Sequence, residues 1–246
     1  MKRIIRKYFR KIGIEIQRFT PEKNPTFQLL KGLEKFRVDL VFDIGANIGQ
    51  FARDLRYIGY KGRIISYEPL SDAYAQLSRI ALKDKKWQVH KRGAVGDTNG
   101  NIIINISGNS VSSSLLPMLD AHSLADSGSV YISQETTPIQ TLDDAAKEYI
   151  NKASNIFIKI DTQGFEWQVL NGGQETLRHA CGVQLELSLV PLYEGQKLWM
   201  EIIERLEKEG FTLWSIQNGF TDPHDGKTLQ VDAIFFRCND IINRHQ

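Results

Sequence analysis

Short apolar runs that finish on an acid recur along this sequence, and helically spaced stretches follow them. "VDLVFDI" (38–44) carries Asp43 near its end, "GRIISYEP" (62–69) carries Glu68, "NIFIKID" (155–161) ends on Asp161, and "GVQLELS" (182–188) carries Glu186. Runs of this length and apolarity read as strands buried on both faces, which means parallel strands with helices above and below. The spacing predicts helices over 49–58, over 71–83 with Ser71 as N-cap, over 164–180 and over 196–209. "WQVHKRGAV" (87–95) reads as a third strand and "NIIINIS" (101–107) as a short extra one after the turn "GDTNG". Residues 136–150 give a short strand and a helix, and 211–216 with 229–236 an antiparallel pair around a turn-rich link. The expected fold is α/β: a Rossmann-like, doubly wound, mostly parallel sheet closed by a C-terminal antiparallel hairpin. Residues 107–133, rich in Ser, Gly and Asp, have no sustained period and read as a lid, a binding loop or a disordered segment.

A chain of 246 residues suits one such domain, here 28–246, preceded by a distinct leader, 1–27. The first 18 residues hold seven basic side chains and one acid, with Ile5, Tyr8, Phe9, Ile12 and Ile16 at helical spacing. Such a helix either packs its apolar face on the domain, the reading favoured here, or lies on an anionic membrane. A net charge of +2 leaves no global basic field, so no nucleic-acid partner is expected. Cys181 and Cys238 lie far apart, which suits a reducing compartment, and the histidines never take metal-ligand spacing. No run approaches a membrane span and no cleavable leader is apparent, so the expected location is the cytoplasm, with peripheral membrane contact as the alternative for the leader.

In an open parallel sheet, ligands sit outside the C-terminal strand ends, where the strand order reverses. The stretch "VFDIGANIGQF" (41–51) is a strand, a tight turn with Gly45 and Gly49, and a helix start. Its glycines depart from the G-x-G-x-x-G dinucleotide pattern, and Asp43 would repel a pyrophosphate. A cationic cofactor without phosphate fits better. S-Adenosylmethionine has a sulfonium, an ammonium and a ribose, and the two oxygens of Glu68 match the two ribose hydroxyls.

These residues also carry a resemblance. "FDIGANIGQF" resembles the first motif of class I methyltransferases that use S-adenosylmethionine. Together with "YEP" (67–69), "AVGDTNG" (94–100), "SVSSSLL" (110–116), "TLDD" (141–144) and "IKIDTQGFEWQVLNGG" (158–173), it resembles the FkbM methyltransferase family over about residues 38–190. The resemblance implies a Rossmann-like methyltransferase that modifies a hydroxyl, often on a sugar or natural product. It implies a cofactor site made by Asp43, Gly45, Ala46, Asn47, Gly49, Gln50, Phe51, Glu68, Pro69, Ala94, Val95 and Asp161. Gly45 and Gly49 would let backbone approach the cofactor. Asn47 and Gln50 would bond its methionine tail or cap the next helix, and Asp97 would serve the adenine amino group or only its turn. Asp161 would hold the amine end, orient the acceptor or take its proton. Glu186 is a second acid for the acceptor, and His122 a base brought in by the loop or a plain surface residue. Glu166 reads as a helix-start acid favouring the dipole. One departure is Gln163, where the family commonly has Glu. Two rival readings are a short-chain dehydrogenase, from the Tyr193/Lys197 spacing, and a non-catalytic domain that kept the fold.

Overall fold

The computed structural model describes residues 2–14, 18–150, 153 and 155–237, with side chains from residue 7 onward. A leader helix, α1 (Lys2–Lys11), precedes α2 (Pro25–Lys35). The body then alternates β1 (Leu40–Ile44), α3 (Gln50–Ile58), β2 (Arg63–Tyr67), α4 (Ser71–Ala81) and β3 (Trp87–Val89). After an excursion it resumes with α6 (Leu142–Ile150), β7 (Ile156–Ile160), α7 (Glu166–Asn171), α8 (Gln174–His179), β8 (Ala180–Ser188), α9 (Trp199–Lys208), β9 (Thr212–Asn218) and β10 (Gln230–Phe236). The excursion holds β4 (Ala94–Gly96), β5 (Gly100–Ser107), α5 (Asp120–Ala125) and β6 (Tyr131–Thr141).

Seven strands form one sheet in the order β3-β2-β1-β7-β8-β10-β9. The first five are mutually parallel, and β10 runs antiparallel to both neighbours. This is the predicted doubly wound, mostly parallel sheet with its closing antiparallel hairpin. One face of the sheet packs on α6 to α9 through residues such as Phe42, Ile158, Leu170 and Leu206. The other packs on α2, α3 and α4 through Leu33, Val41, Leu55, Leu77 and Phe157. Each fully buried side chain of this size contributes roughly 1.5–3 kcal/mol. The strand order reverses between β1 and β7, where Asp43 is in register with Lys159.

Four local expectations are corrected. The predicted strand 87–95 is two strands in different sheets: β3 pairs with β2, and β4 pairs with β6 in a three-stranded sheet β4-β6-β5. Between them Arg92 donates to the Pro69 carbonyl, just past the end of β2, at 2.9 Å. The loop predicted over 107–133 is largely structured. It joins β5 to β6 and contains α5, and its turns are held by Asn109, which donates to Ser112 and Asp126 at 3.0 and 2.7 Å. Ser71 is not an N-cap: Leu70 takes that position, and the Ser71 hydroxyl donates to Glu135 at 2.8 Å. The helical segment 164–180 breaks at Gly172–Gly173 into α7 and α8.

In the leader, Tyr8 and Ile12 are exposed, against the packing that the favoured reading required of them, and Phe9 is half-buried. The side chains of Ile5 and Ile16, and Cys238, lie outside the described residues. No helix among the described residues is long and apolar enough to cross a membrane.

Candidate active site

The turn after β1 is built from left-handed backbone. Gly45, Asn47 and Gly49 have φ of 75°, 47° and 85°. The N–H groups of Gly45 and Ala46 donate to the Tyr67 carbonyl, and that of Asn47 to Glu68 Oε2 at 2.7 Å. Glu68 Oε1 accepts from Leu70 N–H at 2.9 Å, so this carboxylate pins the end of β2 to the turn. A Cβ on Gly45 would stand 1.8 Å from the Asp161 carbonyl oxygen. The glycine therefore lets β1 and β7 close at the strand crossover. Gly49 differs from expectation. A Cβ there would meet Trp87 and Leu77 in the core at 2.7 and 2.9 Å, and the residue does not line the cavity. Its role is the turn and the packing of α3, not approach to a cofactor.

A cavity of about 320 Å³ opens at these strand ends. Gly45, Ala46, Asn47, Gln50, Phe51, Glu68, Pro69, Ala94, Val95 and Asp161 all line it, as the sequence suggested. Residues the sequence reading had not singled out join them: Ile104, Leu115, Lys159, Gln184 and Asp232. One end, with Ala94, Val95, Ile104 and Leu115, is apolar. Glu68 stands beside it, pushed up to about 7 by burial against the pull of the Leu70 and Asn47 hydrogen bonds. Asp97 is exposed and lies outside the cavity, so it is a turn residue.

Asp43 does not face the cavity as the electrostatic argument assumed. It is fully buried beneath the turn. Ser66 Oγ donates to its Oδ2 at 3.1 Å, and Lys159 Nζ lies 3.4 Å from Oδ1. That ion pair lacks hydrogen-bond alignment, which leaves Oδ1 without a hydrogen-bond partner. Burial pushes the Asp43 carboxyl up, and Lys159 pulls against it. Lys159 also lies 3.3 Å from Asp161 and donates to the Gly45 carbonyl at 3.2 Å. Burial would lower its ammonium, but Asp161 and Asp43 outweigh that and hold it above its ordinary value. The signal for this residue was present in the sequence: a lysine inside the apolar run "IFIKI" must find a buried acid.

Asp161 and Glu186 are brought together through Gln163. Its amide donates to Asp161 Oδ1 at 2.8 Å and to Glu186 Oε2 at 2.7 Å, and accepts from the Tyr193 hydroxyl at 2.8 Å. Gln163 sits at φ 54°, with Ser114 Oγ donating to its carbonyl at 2.6 Å. An amide can donate to two carboxylates at once; a Glu here would add a third negative group. Glu186 lies behind Gln163 rather than on the cavity wall, and burial, with Asp161 and Asp232 nearby, raises it well above the usual range. Glu166 is buried and accepts from the backbone of Thr162 and Gly164, so it locks the 161–166 turn instead of serving only the α7 dipole. His122 is corrected on both readings. It is buried on α5 between Tyr193 and Phe220, each with its ring centroid 5.2 Å away, and burial lowers its pKa. It lies neither on the surface nor on the cavity. Tyr193 is buried under Gln163 while Lys197 pairs with Glu201 at 2.7 Å on the surface, so the dehydrogenase-like spacing builds no site. Among the described residues no group of acids, histidines and cysteines could hold a metal.

The methyltransferase FkbM domain model matches residues 43–213. The chain belongs to the FkbM methyltransferase family. Among curated proteins none matches it. It is similar in fold to a SAM-dependent methyltransferase from Aquifex aeolicus (14% identity, 89% of this chain and 100% of that one, TM-score 0.43). It is also similar to magnesium protoporphyrin IX methyltransferase from Synechocystis PCC 6803 with bound SAM (11% identity, 96% of each chain, TM-score 0.44). A third is an rRNA methylase from Streptococcus thermophilus (11% identity, 87% and 97% of the two chains, TM-score 0.45). At these values the family match carries the assignment.

The residues of this FkbM methyltransferase fit S-adenosylmethionine. Each oxygen of Glu68 already accepts one backbone N–H and keeps a second lone pair for a ribose hydroxyl. Ala94, Val95, Ile104 and Leu115 line the cavity and would give an adenine an apolar bed. Lys159, the one cation on the cavity wall among the described residues, is already paired with Asp43 and Asp161, so the opposite end stays acidic. The acids that line the cavity beside Lys159 are Asp161 and Asp232; Asp43, expected there, is not among them.

Proposed function

We propose that this methyltransferase methylates a hydroxyl oxygen of a sugar, glycolipid or related natural product. The reading rests on Asp161. One of its oxygens pairs with Lys159 and the other accepts from Gln163, yet about a third of the side chain stays open to the cavity. A carboxylate held this firmly can accept the hydrogen of an incoming hydroxyl, orient its oxygen and draw off its proton. S-Adenosylmethionine, when bound, supplies a methyl group on a sulfonium that leaves readily. The chain's own task is therefore alignment and exclusion of water, worth about 7–11 kcal/mol of barrier at best. A proton acceptor adds roughly two to four orders of magnitude in rate. Ser110 and Ser113 line the same cavity and offer hydroxyls to a hydroxyl-rich acceptor. Incubation with methyl-labelled cofactor and a glycan and lipid extract, followed by mass spectrometry, tests the reading. Label on a sugar or lipid hydroxyl is expected; label on nitrogen or on protein rules it out.

The exposed Tyr8 and Ile12 beside Lys7 and Lys11 favour contact of the leader with an anionic membrane, which would bring a lipid-linked acceptor within reach. The full chain should sediment with vesicles rich in phosphatidylglycerol, and a chain lacking residues 1–18 should stay in solution. Equal sedimentation of the two removes the membrane contact.

A further inference from the structure

The acidic end of the cavity is unbalanced. Asp232 sits on β10, directly across from Glu186 on β8, in a strand that is apolar apart from Asp232 and Gln230. It lines the cavity, half-buried, beside Asp161, Lys159 and Gln184. Among the described residues its one hydrogen-bond donor is Gln184 Nε2, at 3.3 Å. Gln184 is itself 7% exposed, and its carbonyl oxygen has no partner. Lys159 cannot supply what is missing, because it is already committed to Asp43, Asp161 and the Gly45 carbonyl. Three carboxylates and an orphan amide carbonyl thus share one ammonium. What this end lacks is a second cation rich in N–H donors.

We propose that Asp232, oriented by Gln184, holds a primary ammonium, that of the methionine tail of S-adenosylmethionine, which leaves Asp161 for the acceptor hydroxyl. The inference rests on the methyl-donor reading of the cavity and adds to it a residue from the C-terminal hairpin. An alkylammonium has three N–H donors and no acceptor, which suits a pocket end made of acceptors. The charge balance agrees: burial and the neighbouring Asp161 raise Asp232 to about 6, a pressure that a bound cation relieves. The same arrangement explains why a charged residue is tolerated inside "LQVDAIFF".

Calorimetry of the full chain with two ligands tests this. S-Adenosylhomocysteine carries the amino-acid tail, and 5′-methylthioadenosine lacks it. D232N is expected to weaken S-adenosylhomocysteine by about 10- to 100-fold, the worth of a charged hydrogen bond. It should leave methylthioadenosine within about twofold, which also reports that the variant is folded. D232E, which keeps the charge, should recover part of the loss. Unchanged affinity for S-adenosylhomocysteine in D232N overturns the proposal, and so does an equal loss for both ligands. If the natural chain binds neither ligand, the methyl-donor reading fails first and takes this inference with it.

Discussion

Replacing Gly45 by alanine should reduce S-adenosylhomocysteine affinity by about 100-fold or more, on the order of 3 kcal/mol. Two costs combine. The residue sits at φ 75°, where a side chain is strained, and the new Cβ would stand 1.8 Å from the Asp161 carbonyl oxygen. That oxygen is backbone and cannot swing aside, so β1 and β7 must part. Parting them moves Asp161 and breaks the grip of Lys159 on the Gly45 carbonyl. Calorimetry reads the affinity, and circular dichroism confirms that the sheet persists. Affinity within a few-fold of the natural chain would mean that this turn does not shape the cofactor site.

The second large effect concerns Lys159. K159M should destabilise the fold by about 3–5 kcal/mol at pH 7.5, because it leaves Asp43 buried without its countercharge. The double variant K159M/D43N should recover much of that, since removing both charges leaves no buried ion to desolvate. The deficit of K159M should also shrink as pH falls. With Asp43 protonated, no countercharge is needed, and burial already pushes that carboxyl up. Denaturant unfolding of both variants between pH 5 and 8 measures this. A K159M cost below about 1 kcal/mol would show that the pair does not carry the buried charge.

Lys159 also shows where reading the sequence stopped. The apolar run around it announced a buried strand, and the acid two residues later announced a strand end. Only the parallel register of β1 with β7 places that lysine opposite Asp43. Asp43 is therefore paired with Lys159 beneath the turn and faces no ligand, and the acids beside Lys159 on the cavity wall come from β10 and the end of β7. His122 shows a similar limit. Its serine-rich surroundings read as open loop, but α5 folds it under Tyr193 and Phe220, and no local period signals that contact.

The sequence by itself determined the strand–helix alternation, the switch-point turn, the acid at the end of the second strand, and the family. Those follow from short-range pattern: a period of two or 3.6 residues, a glycine that must take positive φ, a side chain fixed at a strand end. Tertiary structure alone decided which charges neutralise each other, that Gln163 spans Asp161 and Glu186, and that β10 brings Asp232 to the cavity. Gln163 and Glu186 are 23 positions apart and Asp161 and Asp232 more than 70, and electrostatic energy depends on distance through space and on burial, neither of which a one-dimensional pattern carries.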